Sequence, residues 1–253
     1  MPGVYDCAIV KKERLAESIY SITASCSDIV GIARAGQFVS VKCGEERLLR
    51  RPISICQVSD DELSLVFEAK GDGTKWLSLR EPGQKIDILG PLGNGFSMPE
   101  GNAIAVGGGI GSPPLLFAAE SSKSITAAVL GFRSMDRIIL KDEFEVACEK
   151  LMIATDDGSS GIEGTVAKPL EILLESGEYD AVLACGPRTM LQTVAELCRK
   201  HGVRCQVSLE ERMACGVGAC VVCACATMID GIEGMSRVCK DGPVFNAEVV
   251  KWQ

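Results

Sequence analysis

At 253 residues, with 47% hydrophobic and 24% charged side chains, the chain has the size and composition of a two-domain globular protein with room for a small appendage. Its 34 acidic against 26 basic residues give a net charge of −8, which argues against nucleic-acid or anionic-membrane partners. The only histidine, His201, follows Arg199-Lys200 near a predicted helix end, so Ser-His-Asp hydrolysis and multi-histidine metal sites are effectively excluded.

In chain order, residues 1–100 read as short strands with turns. Val4–Val10, Ser18–Ala24, Gln37–Lys42, Pro52–Val58, Leu63–Glu68 and Lys85–Leu89 carry the alternation or β-branched content of strands, and six such strands predict a small antiparallel barrel. Met1–Val10 alternates as a strand does, so no signal peptide is expected. The turn ending the barrel is expected at Gly90–Phe96. Residues 101–208 change to strand–helix alternation. Strands at Ala103–Val106, Ile125–Leu130, Leu151–Ala154 and Ala181–Ala184, with helices such as Pro113–Ser121 and Pro187–His201, predict an α/β domain with a doubly wound parallel sheet. The apolar runs Ala103–Ile110 and Pro113–Ala119 are too short and too broken to span a bilayer. Residues 209–253 form a third, small region that begins with a cysteine loop and returns to short strand-like pieces over Asp230–Val250.

Several motifs carry candidate chemistry. Arg50-Arg51-Pro52-Ile53-Ser54-Ile55 places an arginine and a hydroxyl at a strand start, a pair able to grip a pyrophosphate. Gly71-Asp72-Gly73-Thr74 opens the predicted helix Lys75–Leu79, where an anion site and a plain capped turn are the two readings. Val106-Gly107-Gly108-Gly109-Ile110-Gly111 follows a strand and precedes Pro113 at a predicted first helical turn, the context for backbone approach to a dinucleotide, though not the strict G-x-G-x-x-G pattern. Cys185-Gly186-Pro187 ends a later strand on the same carboxyl edge. Cys185 reads equally as a packing thiol or a nicotinamide-facing one.

Cys215, Cys220, Cys223 and Cys239 follow the spacing C-x4-C-x2-C-x15-C, the plant-type arrangement for a [2Fe–2S] cluster, with glycines at 216 and 218 able to turn backbone N–H groups toward sulfur. Structural zinc is the competing reading, but only Cys220 and Cys223 have the hook spacing zinc favours. Cys225 reads as a bystander. The nine cysteines outside the ligand set (Cys7, Cys26, Cys43, Cys56, Cys148, Cys185, Cys198, Cys205, Cys225) are scattered, most of them in hydrophobic runs, as suits buried thiols in a reducing cytosol.

Barrel, Arg-Pro-x-Ser, Gly-Gly-Gly-x-Gly and Cys-Gly-Pro, in that order, resemble the ferredoxin–NADP reductase superfamily. With Glu210–Cys220 and Cys239-Lys240-Asp241-Gly242-Pro243-Val244-Phe245 appended, the whole chain resembles the family of dihydroorotate dehydrogenase B electron transfer subunits. The resemblance implies FAD on the barrel (Arg51, Pro52, Ile53, Ser54, Val66, Phe67, Glu68, Gly73, Thr74), NAD on the second domain (Gly107, Gly108, Gly109, Gly111, Cys185, Gly186, Pro187) and [2Fe–2S] on Cys215, Cys220, Cys223 and Cys239. The superfamily often has a flavin-stacking aromatic where Ile53 stands, which leaves open what covers the ring. Arg133, after Gly131-Phe132, keeps NADP in view, while Asp136 and the family favour NAD. It also implies a cytoplasmic hetero-oligomer whose partner, an FMN-containing dihydroorotate dehydrogenase catalytic subunit, oxidises dihydroorotate. Related chains serve hydrogenases, sulfide dehydrogenases and bifurcating transhydrogenases. No general base is expected on this chain, because electron relay asks for none.

Overall fold

The structure, a computed structural model, describes residues 2–252; the expected start at Met1 lies outside them. The first region contains β1 (Gly3–Ala16), β2 (Ile19–Ser25), the short helix α1 (Ser27–Val30), β3 (Phe38–Val41), β4 (Arg51–Ser59), β5 (Glu62–Glu68), α2 (Asp72–Ser78) and β6 (Lys85–Leu92). Its strands close into a barrel in the order β1-β2-β5-β4-β3-β6. All six predicted strands are present. β1 runs well past Val10, because Lys11 to Ala16 pair with Thr23 to Ile19 across a hairpin whose polar residues show no apolar alternation. β6 likewise runs through Pro91 to Leu92, into the segment expected as a turn.

The second region contains β7 (Ala103–Gly108), α3 (Pro113–Ser121), β8 (Ile125–Phe132), α4 (Lys141–Ala147), β9 (Lys150–Thr155), β10 (Ile162–Glu163), α5 (Ala167–Glu175), β11 (Ala181–Cys185), α6 (Arg188–His201) and β12 (Arg204–Ser208). The third contains the hairpin β13 (Ala224–Ile229) and β14 (Ile232–Arg237), then β15 (Val244–Asn246). The sheet order is β10-β9-β8-β7-β11-β12-β15, parallel except that β15 runs antiparallel to β12. The third region is therefore stitched to the sheet by its own last strand.

Helix α3 explains how barrel and sheet are held together. Pro113 and Pro114 start it, where missing N–H groups cost nothing. It is apolar on all sides, and Leu115, Leu116, Phe117, Ala118 and Ala119 are buried. They join one core with Ile55 and Leu65 of the barrel and Ala105 and Leu183 of the sheet. A helix apolar all round has no solvent face, so this one fills the space between the two layers.

Among the scattered cysteines, Cys43, Cys56, Cys148, Cys198 and Cys225 are buried thiols as expected. Cys7 and Cys26 are buried too, and they face each other with Cα atoms 5.4 Å apart. The pair continues the β1–β2 register just beyond Ala8↔Ser25, so the hairpin itself brings the two side chains together. Among the described residues no helix is long and apolar enough to cross a membrane.

Candidate functional site

The predicted residues fall into three groups. The first lies where β4 begins. Arg50 is committed to the barrel, pairing with Asp87 on β6 at 2.8 Å and donating to the Ser40 carbonyl at 3.2 Å. Arg51 instead lies over Gly73 in the first turn of α2, where a β-carbon on residue 73 would collide with its guanidinium. The two separate anion motifs of the sequence thus form one place. Burial raises the Cys43 thiol pKa while Arg51, Arg47 and Arg50 pull it the other way, so three guanidinium groups focus positive potential on this corner of an acidic protein. Thr74 does not point outward. Its hydroxyl accepts from the Lys70 and Gly71 N–H groups at 3.1 and 3.3 Å and donates to the Gly71 carbonyl, so the capped-turn reading describes its hydroxyl.

Ile53, Val66 and Phe67 are buried in the barrel core, and Phe67 stacks with Tyr20 across β2–β5 at 6.2 Å between ring centroids. Their side chains belong to packing, so what they offer a ligand is backbone. Pro52 is exposed and Ser54 half-buried on the opposite face of β4. Glu68 is engaged by Lys70 at 2.8 Å and by Arg137 at 3.1 Å.

The second group sits at the carboxyl edge of the sheet. From β7 the chain winds through β8, β9 and β10 to one side, then returns to β11 and β12 on the other. The reversal falls between β7 and β11, the crevice where such sheets bind ligands. Gly107 of β7 and Cys185 of β11 are register partners across it. The glycines let backbone meet backbone: a β-carbon on Gly111 would strike the Cys185 carbonyl, and one on Gly108 would meet Met190 and Pro187. Sequence reasoning missed Ser112, fully buried behind Gly107 with a hydroxyl that has no hydrogen-bond partner. An orphaned hydroxyl beside a glycine-lined crevice at a helix start suits the phosphate of a nucleotide. Burial pushes the Cys185 thiol up to about 12, against a weaker pull from Ser208, so it is neutral at physiological pH and no nucleophile.

The third group is the cysteine loop. Among its four thiols, Cys215 neighbours Cys220 and Cys223 neighbours Cys239. Among the described residues no three His, Cys, Asp or Glu side chains converge as they would on a single ion. Two such pairs suit two irons with two thiolates each. Backbone amides aim at the sulfurs: Gly218 at Cys239 (3.1 Å), Ala219 and Cys220 at Cys215 (3.3 and 3.4 Å), and Cys239 at Cys223 (3.4 Å). Burial opposes ionisation of Cys215, but the amides of Cys220, Val217 and Ala219 outweigh it and bring the thiol down to about 6. Gly216 and Gly218, at φ of 71° and 83°, provide the turns that orient these amides. Arg237 braces the loop, holding Asp241 at 3.0 Å and donating to the Gly218 carbonyl at 3.1 Å. Cys225 faces Ser236 across the β13–β14 hairpin and takes no amide from the loop.

The loop is seated on the barrel. A side chain at Gly216 would stand 3.1 Å from Ser40 Oγ and 3.4 Å from Leu92 Cδ1. Ser40 is in turn the register partner of Pro52, so the cysteine loop rests on the strand next to the Arg51–Ser54 segment. Asn94, also missed, clamps the joint: its side chain donates to the Lys240 and Asp241 carbonyls at 3.2 and 3.1 Å, and its N–H to the Gly242 carbonyl at 2.6 Å. Two shallow clefts of about 360 and 290 Å³ lie elsewhere, one at the far end of β4 beside Glu120, the other at the amino edge of the sheet.

Comparison with known proteins agrees with this geometry. The family model described as the iron–sulfur cluster binding domain of dihydroorotate dehydrogenase B matches residues 210–251. The dihydroorotate dehydrogenase B (NAD(+)) electron transfer subunit of Caldanaerobacter subterraneus is 38% identical over 96% of both chains. That of Bacillus caldolyticus is 40% identical over 99% of this chain and 100% of its own. The chain belongs to this family. Among solved structures, a chain of an NADH-dependent reduced ferredoxin–NADP oxidoreductase, studied for flavin-based electron bifurcation, superposes with a TM-score of 0.88. It is 32% identical over 100% of this chain and 92% of that one. A ferredoxin NADP+ reductase from Neisseria gonorrhoeae with bound FAD and NADP shares the fold, with a TM-score of 0.65 at 15% identity over 79% of this chain and 92% of that one.

Proposed function

We propose that the chain is the electron-transfer subunit of an NAD-dependent dihydroorotate dehydrogenase, taking electrons from the FMN of a catalytic partner and delivering them to NAD+. The division of labour is FAD on residues 1–100, NAD(H) on 101–208 and [2Fe–2S] on 209–253. Arg51 and the first turn of α2 would hold the FAD pyrophosphate, with the backbone of Val66–Glu68 and the Pro52–Ser54 face of β4 beside it. Gly107–Gly111, Ser112 and Cys185–Pro187 would hold the nicotinamide nucleotide, and the two thiol pairs the irons. When bound, FAD exchanges two electrons with a nicotinamide and one with an iron–sulfur cluster, the conversion this relay needs. The chain's own residues position and insulate: the cysteine loop rests on β3, the strand paired with β4, and the amides of residues 218–220 stabilise thiolate charge. The observation that carries the reading is the seating of Gly216 on Ser40, one strand from Pro52.

Val217, Val221 and Val222 leave the cysteine loop with an exposed apolar rim, where the partner would dock. The 32% identity to the bifurcating oxidoreductase chain favours one alternative, the same relay serving a transhydrogenase. Co-expression with a dihydroorotate dehydrogenase catalytic subunit decides between them. The first reading expects a stable complex that forms NADH from NAD+ and dihydroorotate under anaerobic conditions. A chain that neither binds that subunit nor supports this turnover contradicts it.

A further inference from the structure

Besides the apolar core they share, one side chain makes the hydrogen bonds that tie the connection after β8 to the barrel. Met135–Arg137 forms a single 3-10 turn beside the carboxyl edge of the sheet, next to the strand that carries Gly107 and Gly108. From it Arg137 reaches across to the barrel. Its Nη2 pairs with Glu68 Oε1 at 3.1 Å, and its Nη1 donates to the backbone carbonyl of Glu17 in the β1–β2 turn. Lys70 takes the other Glu68 oxygen at 2.8 Å. The Arg137 and Glu68 side chains are only 23% and 19% exposed, so the contact is partly shielded from solvent, unlike an ordinary surface pair. The turn is pinned from its other side as well, because the Met135 N–H donates to Ser159 Oγ at 2.8 Å and Ser134 donates to Asp136 at 2.6 Å.

Both ends of this tie matter. Glu68 closes the strand Val66–Glu68 and opens the short segment leading to Gly73, where Arg51 rests. The connection after β8 occupies the place where doubly wound folds recognise the ribose of a dinucleotide. We propose that Arg137 is a positioning residue for the nicotinamide nucleotide, fixing the loop after β8 in a set relation to the flavin strand while touching neither ligand. The proposal rests on the reading that NAD(H) binds along β7, β8 and β11. Its consequence is that the two nucleotide sites share one frame, and a change made at Glu68 on the barrel is felt as nicotinamide affinity on the sheet.

The test is NADH-dependent ferricyanide reduction by anaerobically prepared holoprotein, with every variant matched for flavin and iron content. Arg137→Ala is expected to raise the KM for NADH about tenfold while moving kcat less than about twofold. Arg137→Lys, which keeps a charge for Glu68, recovers most of that loss. Glu68→Gln raises KM in the same direction, and combining it with Arg137→Ala is no worse than Arg137→Ala alone, since both remove one contact. An unchanged KM in Arg137→Ala, or effects that multiply in the double variant, overturns the proposal. Should Arg137→Ala fail to retain flavin, Arg137→Gln serves in its place, with about a fivefold rise expected and no rise contradicting. If the unaltered holoprotein itself shows no NADH saturation, the nicotinamide reading fails first and this proposal falls with it.

Discussion

The cysteine loop and the glycine loop after β7 are both glycine-rich turns at the edge of a sheet, yet they need glycine for different reasons. In the cysteine loop, Gly216 and Gly218 have positive φ and turn amides onto sulfur. After β7, Gly111 and Gly108 are required because neighbouring backbone and side chains already occupy the space a β-carbon would fill. Gly109 stands apart, with φ of 53° and nothing within 4 Å of the point where its β-carbon would sit. One loop is shaped by what it points at, the other by what presses on it. A substitution series separates the two causes.

The largest effect is expected at the thiols. Cys239→Ser should abolish the cluster's visible absorbance and its EPR signal on reduction while flavin absorbance stays, whereas Cys225→Ser should keep both. A cluster lost equally from the two variants breaks the assignment of ligands. Next comes Gly111→Ala, which drives a methyl into the Cys185 carbonyl and should destabilise the fold by about 2–3 kcal/mol, read as a lower Tm and weaker NADH binding. Gly218→Ala should add about 1–2 kcal/mol of left-handed backbone strain to a collision with Lys240, whose Cβ would stand 2.9 Å from the new methyl, and should show mainly as lower iron content. The smallest effect belongs to Gly109→Ala, about 1 kcal/mol of backbone strain with no collision. If Gly109→Ala proves as damaging as Gly111→Ala, crowding is not what sets the second loop.

Much of this is legible in the residues, and the reasons differ by region. The ligand set reads directly because cysteine spacing and chemistry are local: residues 215–223 lie in one turn, and Cys239 is marked by its glycine–proline neighbours. Barrel strands and the helix Pro113–Ser121 read well because their apolar patterns are short-range. The strand Arg204–Ser208 is invisible in the sequence, since it is largely polar and owes its place to pairing with β11 and β15. Of the two readings of Gly71–Thr74, the hydroxyl of Thr74 follows the capped turn, a competition that local sequence cannot resolve. Asn94 and Arg137 escape a sequence reading because their surroundings come from distant parts of the chain, 146 residues away for the Asn94–Lys240 bond. The juxtaposition of Cys7 and Cys26 follows from hairpin register, which composition does not reveal.

The central claim is that the cysteine loop sits close enough to a barrel-bound flavin to receive electrons from it singly. EPR of the anaerobic chain after addition of NADH tests this most directly, run side by side on flavin-loaded and deflavinated protein. The account predicts a reduced [2Fe–2S] signal in the loaded sample and none in the deflavinated one. A signal of equal size without flavin, or a loaded sample whose cluster stays oxidised under NADH while dithionite reduces it at a potential well above that of NADH, contradicts it.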